Sequence, residues 1–423
     1  MTTAVHRGLA PVRAVLDNGA IVTAKHSPTT PAVTIHLGFL AGSIYDPADA
    51  AGLAHFVSRT IDRGTTTRPA AVLAEELDRR GVSLSTMINR HVLSLICTCL
   101  VEDLSDVLAL VADIAMNPVF PGEEVATKRG EVVTLIRQDE DNPAVMATEG
   151  LLQDLYGPDH GYGRRPRGSV QTVESIAPDA LRRFHAARIR PTTMSLVLVG
   201  DVDPMQAIDA GRRAFEGWRA AVPDEVDLPE PPRPAVRRLR TISMMNKAQT
   251  DIAYGFTSIR RSDPSYYAHW LMNNILGQYA LGGRLGDSIR ERQGMAYYVF
   301  SALDANIISG PLMVRAGVSP DNVERAVASI DEELSKLAAE GPTDREVTES
   351  RQYLIWSMPR TLETNLGIAN FLQTAEFFGL GVDYDLRVPD LLSAVSRDAV
   401  HEAARRALDP ERATIVVAGP YRG

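Results

Sequence analysis

Two stretches of this chain resemble each other at a fixed distance. TIHLGFLAGSIYDP (Thr34 to Pro47) is similar to DIAYGFTSIRRSDP (Asp251 to Pro264). The shared Gly-Phe pairs begin at Gly38 and Gly255, and the shared Asp-Pro pairs at Asp46 and Asp263, both 217 residues apart. A second match lies further along, between SIAPDALRRFHAARIRPTTMSLVLVG and AVSRDAVHEAARRALDPERATIVVAG, whose closing Gly200 and Gly419 are 219 apart. Two ordered matches at nearly one offset imply two homologous halves of roughly 210 residues each. The expected organisation is a first half over residues 1–219, a linker over 220–238 and a second half over 239–423.

The linker expectation rests on AAVPDEVDLPEPPRPAVRR (Ala220 to Arg238), rich in proline and charge and poor in large apolar groups. Proline removes backbone donors and favours extended chain, so this segment is expected to be an exposed spacer. Within the halves, GAIVTAKH and AVTIHLGFLAG alternate or run apolar and predict strands, and SLSTMINRHVLSLICTCL predicts a strand pair or one long strand. EDLSDVLALVADIAMNP carries apolar residues at helical spacing with a proline past its end, and GEEVATKRGEVVTLIRQDEDNP predicts a long helix stopping before Asn142-Pro143. TMSLVLVG and ATIVVAG predict short buried strands. Strands and long helices without strict alternation point to an α+β fold. Each half is expected to be a mixed, mostly antiparallel sheet with helices packed on one face.

Composition narrows the function. With 45% hydrophobic and 23% charged residues, the 423-residue chain is that of a globular protein. Its formal net charge of -9 argues against nucleic acid or an anionic membrane as the main partner, since both select a basic face. No stretch approaches 18 uninterrupted apolar residues, so no membrane span is expected. MTTAVHRGLAPVRAVLDNG lacks the apolar core of a secretory signal, which makes cytoplasm the default, with periplasm open to a trimmed precursor. The two cysteines, Cys97 and Cys99, share one face of a strand and are expected to be buried small side chains without a disulfide.

The stretch GLAHFVSRTIDRGT (Gly52 to Thr65) carries the chemistry worth weighing. Leu53, Phe56, Val57 and Ile61 form one helical stripe, and His55 lies just off it. In the zinc-peptidase pattern H-x-x-E-H, histidines four apart reach one ion, and the glutamate between them takes a proton from metal-bound water. Here Ser58 stands at the base position and Arg59 at the second histidine. Arginine has no lone pair to give and stays protonated, and serine does not replace a carboxylate base. His26, His36, His91 and His160 are the other available imidazoles, none at ligand spacing from His55.

The frame nonetheless resembles the signature helix of the pitrilysin/insulysin zinc-peptidase family, in its processing-peptidase branch. EVVTLIRQDEDNP resembles that family's later ligand-bearing helix, HGYGRRPRGS its H-P-Y-G-R-P-x-x-G loop, and RRSDPSYYAHWLMNNILG and RLGDSIRERQGMAYYVFSAL its second-half elements. By resemblance, His55 matches the first zinc ligand, Ser58 the base, Arg59 the second ligand, and Leu135, preceded by Thr134, the glutamate ligand. One of three ligands remains and the base is lost. The edge-strand asparagine-alanine pair that contacts substrate backbone in the family is matched by Ser85 and Thr86, which weakens peptide docking in this half.

The second half differs. Arg290 and Tyr297 keep a spacing of seven that resembles the family's L-R-x-x-x-x-x-Y element. Spacing alone leaves open a solvated helix end followed by a core tyrosine. The resemblance implies a pair from the non-zinc half that reaches the zinc site, where a guanidinium and a phenol stabilise the oxyanion formed when zinc-bound hydroxide attacks a peptide carbonyl. Arg284 and Arg292 are expected to be surface or salt-bridge residues. Only Gly282-Gly283 stand together in ILGQYALGGRLGDSIRE, so the long glycine-rich loop of some regulatory subunits is not expected.

These readings imply a zinc-less subunit of a heterodimeric metallopeptidase. No cofactor is expected in this chain, and zinc is expected in a homologous partner bearing H-x-x-E-H. Arg290 and Tyr297 complete the partner's site around a peptide. The alternative is an inactive scaffold or peptide-binding homologue, similar to the core subunits of respiratory complexes or the inactive subunit of a pyrroloquinoline quinone precursor-peptide protease. A self-sufficient peptidase with unorthodox ligands is the third reading.

Overall fold

The structure is a computed structural model describing residues 8–220, 228–279 and 282–422. Six strands form the first sheet: β1 (Val12–Val15), β2 (Ile21–His26), β3 (Ala32–Phe39), β4 (Ser85–Ile88), β5 (Leu93–Leu100) and β6 (Met194–Gly200), in the order β1-β2-β6-β3-β5-β4. Five form the second: β7 (Arg238–Ser243), β8 (Thr250–Thr257), β9 (Ala296–Leu303), β10 (Pro311–Val318) and β11 (Thr414–Gly419), in the order β7-β11-β8-β10-β9. Leaving out β1, the two orders superimpose strand for strand. Each sheet has one parallel pair, β2/β6 and β7/β11, among otherwise antiparallel neighbours. The internal repeat is therefore a repeat of topology, and the α+β expectation of two homologous, mostly antiparallel halves holds.

The first sheet packs its main helices on one face, as expected. Alternation along β6 shows that the other face is covered too. Leu196 and Leu198 join the large core, whereas Val197 and Val199 form a separate cluster with Ile368, Ala369 and Leu372. Those last residues belong to helix Asn365–Phe377, from the second half of the sequence. Reciprocally, helix Pro143–Tyr156 of the first half packs on β8 and β11 of the second sheet. Arg240 ties it there, with Nε 2.8 Å from the Asp154 carboxylate and Nη2 donating to the Gly150 carbonyl at 2.8 Å. Burial on both faces explains why MSLVLVG is buried along its whole length and apolar but for Ser195, whose hydroxyl donates to Gln373 at 3.2 Å.

The compact units thus differ from contiguous halves. One comprises Met1–Ile136, Arg165–Val226 and Pro359–Leu386; the other comprises Arg137–Arg164, Asp227–Met358 and Arg387–Gly423. The exchanged helices also explain the shared glycines. A Cβ at Gly38 would lie 2.2 Å from Nε2 of Gln373, and one at Gly255 would lie 2.9 Å from Cδ2 of Leu151. In both halves the repeated glycine sits beneath a helix from the other half.

The expected linker over 220–238 is mostly exposed where it is described, and it is also tied along its own unit. Residues 221–227 lie outside the described residues, but 228–238 are strapped down. Pro231 and Pro234 are buried. Thr257 Oγ1 donates to the Pro232 carbonyl at 3.1 Å, and Arg233 Nη2 to that of Ser258 at 3.3 Å. The proline-rich segment thus runs mostly exposed along its own unit, tied to the end of β8 by one accepted and one donated hydrogen bond. SLSTMINRHVLSLICTCL is the strand pair β4/β5. Asn142 ends one helix by capping the next, accepting from the Ala144 N–H at 3.0 Å.

Candidate functional site

Helix Leu53–Thr60 preserves the frame of the motif. Gly52 enters it with φ 93°, and a Cβ there would lie 2.4 Å from the Arg167 carbonyl oxygen. The helix start is held by Asp46, whose two carboxylate oxygens accept the N–H groups of Gly52 (2.8 Å) and Ala54 (2.7 Å). A carboxylate at a helix N-terminus satisfies orphan donors and complements the dipole. The matching Asp263 accepts the Ser265 N–H at 2.9 Å before helix Tyr266–Gly277. The repeated Asp-Pro is therefore a helix-start device in both halves. Phe56 and Val57 are fully buried, and the Arg129 guanidinium lies 5.5 Å from the Phe56 ring centroid.

The positions that would carry chemistry are used otherwise. His55 is half-buried. Ser58 is 1% exposed, and its hydroxyl donates to the His55 carbonyl at 2.7 Å, a back-bond within its own helix. Arg59 lies 3.6 Å from Glu131 on helix Gly122–Glu140, and Glu131 also accepts from Lys128 at 2.8 Å. Lys128 and Arg59 hold the Glu131 carboxyl below its usual range. Asp62 beside them is raised by burial, against the pull of Arg63, Lys128 and Arg59. Leu135 is half-buried, and Thr134 back-bonds to the Gly130 carbonyl at 2.9 Å. A dication would meet a guanidinium, an engaged hydroxyl and an isobutyl group, so these residues do not fit zinc.

No group of three or more His, Cys, Asp or Glu side chains is placed to hold a metal ion among the described residues. The other histidines have separate surroundings. His26 Nδ1 faces the Val202 carbonyl at 3.3 Å, His36 Nε2 meets Ser94 Oγ at 3.0 Å, His91 packs on Phe377, and His160 Nε2 faces the Pro229 carbonyl at 3.1 Å. Cys97 and Cys99 are buried on β5, with burial pushing both thiols up to about 12. They are inert at neutral pH.

Ser85 and Thr86 begin β4, the outer strand of the first sheet, which pairs only with β5. Ser85 is exposed and Thr86 half-buried, so the edge is open although its family residues are replaced.

In the second half, Tyr297 lies on β9, the corresponding outer strand. Tyr298 pairs with Gly317 and Ala296 with Val318, so Tyr297 is the extra residue of a β-bulge. Bulges bend an edge and re-aim a side chain; Tyr297 is 67% exposed. Arg290 lies on the preceding helical turn, partly exposed, with Nε donating to Glu291 at 2.9 Å. That bond uses one of five guanidinium donors. Arg284 and Arg292 are salt-bridge residues, as expected. Arg284 makes a bidentate pair with Glu346 (2.6 and 2.8 Å), and Arg292 pairs with Asp287 (3.0 Å).

Residues 21–161 match the model of the insulinase family, peptidase family M16, and residues 175–354 match that of the peptidase M16 inactive domain. This chain belongs to peptidase family M16. Among its M16-like relatives is an uncharacterized zinc protease of Mycobacterium leprae, 28% identical over 422 residues (97% of this chain, 92% of the relative). Another is an uncharacterized zinc protease of Streptomyces coelicolor, 25% identical over 418 residues (97% and 90%). The fold is shared with a peptidase M16 inactive domain from Pseudomonas fluorescens (TM-score 0.91, 23% identity, 98% of this chain and 99% of that one). A Helicobacter pylori protease shares it as well (TM-score 0.88, 16% identity, 96% and 99%). No helix is long and apolar enough to cross a membrane among the described residues.

Three features of the M16 frame escaped the sequence reading: the Arg59–Glu131 ion pair, the Asp46 cap and the bulge at Tyr297. Only the cap left a signal, in the repeated Asp-Pro.

Proposed function

We propose that this chain is the zinc-less subunit of a heterodimeric M16 metallopeptidase. Arg290 and Tyr297 serve a site whose zinc, general base and metal ligands belong to a homologous H-x-x-E-H partner. The supporting observation is the contrast between the halves. In the first, the metal-site frame holds an Arg59–Glu131 ion pair. In the second, a β-bulge on an open sheet edge presents the Tyr297 phenol to solvent. A tyrosine kept only for packing has no need of that exposure.

In this reading the partner's H-x-x-E-H residues would hold a zinc ion, which when bound would supply Lewis-acid activation of water and of the peptide carbonyl. This chain's part is electrostatic. The Tyr297 O–H and the Arg290 N–H donors hold the carbonyl oxygen as it gains charge, a kind of assistance whose loss costs about 10²–10³ in rate. The substrate class is a peptide, and the compartment is cytoplasm or periplasm.

The test mixes the chain with a purified H-x-x-E-H homologue and follows peptide cleavage. The expected result is activity that requires both chains. Full activity from the partner alone, unchanged on adding this chain, would remove the proposal.

A further inference from the structure

Between Gly286 and Arg292 the backbone is a π-helix. In an α-helix, residues five apart are 1.4 turns apart and face different directions. A π-turn closes i to i+5 and brings such residues onto one side. Two side-chain pairs have that spacing: Arg292 Nε to Asp287 Oδ2 at 3.0 Å, and Gln293 Nε2 to Ser288 Oγ at 3.4 Å.

The same residues fasten the turn to helix Val323–Glu340. Gln293 Nε2 donates to Ser329 Oγ at 3.1 Å, and Arg292 Nη2 lies 3.6 Å from Glu333. Ser329 and Glu333 are both buried and lie one helical turn apart. After Arg290, the chain closes with the Gly294 N–H on the Arg290 carbonyl (3.0 Å) and the Met295 N–H on that of Ile289 (3.1 Å). It then passes through left-handed Gly294 (φ 63°) into the bulge at Tyr297. Three departures from regular geometry fall within this short stretch. Such irregularities concentrate at functional sites.

We infer that Asp287 and Gln293 are positioning residues: Gln293 directly, and Asp287 through Arg292, hold the π-turn against helix Val323–Glu340 and so fix the direction in which Arg290 is presented. Relaxation of the turn to α geometry shifts the register by one residue, which swings a side chain by about 100° around the axis. This inference rests on the reading that Arg290 serves a partner's active site.

The test uses the full chain with its H-x-x-E-H partner. Asp287→Ala and Gln293→Ala should each lower kcat about tenfold, since small misplacements of a catalytic group cost one to two orders of magnitude. KM and complex formation should stay unchanged. Placed on an Arg290→Ala background, neither should lower kcat further, because a positioning residue acts only through the group it positions. Asp287 is on the surface, so Asp287→Asn carries the test if Gln293→Ala weakens the fold. If Arg290→Ala lowers kcat while the Asp287 and Gln293 variants do not, or their losses add to it, the positioning role is overturned and the subunit reading stands. If Arg290→Ala has no effect, the subunit reading itself falls.

Discussion

The guanidinium of Arg59 lies 3.6 Å from the carboxylate of Glu131, joining two helices that in a zinc peptidase would share a metal ion. Both side chains are more than a third exposed, so the pair is worth at most about 1 kcal/mol. Its significance is that Arg59, at the position matched to a second ligand, is turned to a carboxylate on the neighbouring helix. Arg59→His alone should bind no zinc tightly, because Leu135 leaves the third ligand position without a donor. Ser58→Glu, Arg59→His and Leu135→Glu together should take up about one zinc per chain, completing a set of three protein ligands. Elemental analysis after dialysis checks both expectations. Stoichiometric zinc in the unaltered chain would falsify the description of this frame as closed to metal.

In the reconstituted heterodimer, Arg290→Ala and Tyr297→Phe should each lower kcat by about 10²-fold or more, with the complex still eluting as a heterodimer. Loss of assembly would instead make the pair part of the interface.

Gly38 and Gly255 provide a test whose sign is decisive. Glycine within a strand is ordinarily destabilising by roughly 0.5–1 kcal/mol relative to alanine. A side chain at Gly38 meets Gln373, and one at Gly255 meets Leu151. Gly38→Val and Gly255→Val should therefore lower stability by about 1–3 kcal/mol through overpacking. Urea titration reads the effect, and stabilisation at either position would show that the exchanged helix is not closely seated there.

Stability should also fall as the solution turns mildly acidic. Burial lowers His36 to about 4 and His91 to about 3, and shifts His160, His185 and His269 the same way. Their folded values lie below the unfolded value near 6.5, so the unfolded chain binds more protons below that pH. The stability these groups contribute is intact above about pH 6.5 and declines as pH drops towards 4. For His36 and His91, whose folded values lie far below 6.5, the slope approaches about 1.4 kcal/mol per pH unit each between about pH 6 and 4. Denaturation midpoints at pH 7 and pH 5 measure the slope. His91→Gln should flatten it, and an unchanged slope would mean His91 is not held neutral.

Much of the fold was legible because the repeat was. Gly38/Gly255 and Asp46/Asp263 marked equivalent positions in the two halves, and SLSTMINRHVLSLICTCL was legible as a strand pair or one long strand. The helix exchange was not legible. Periodicity in Ile368, Ala369 and Leu372 shows that a face must be covered, but not which sheet covers it. The mismatch with a zinc site could be read directly from Ser58, Arg59 and Leu135, because none of the three side chains supplies the group that the family's motif has there. Glu131 could not be foreseen as Arg59's partner, since helix crossing and not spacing brings them together. The bulge at Tyr297 leaves no mark either, because an extra residue in a strand alters register without altering composition.

The exchange of helices has a consequence for how the protein is made. β6 leaves the ribosome at Gly200, but the helix that covers Val197 and Val199 begins only at Asn365. At about 5–20 residues per second, synthesis of the intervening chain takes roughly ten to thirty seconds. Throughout that interval the nascent first sheet carries a bare apolar face, so its birth, more than its finished stability, is the period in which this chain is most exposed to aggregation.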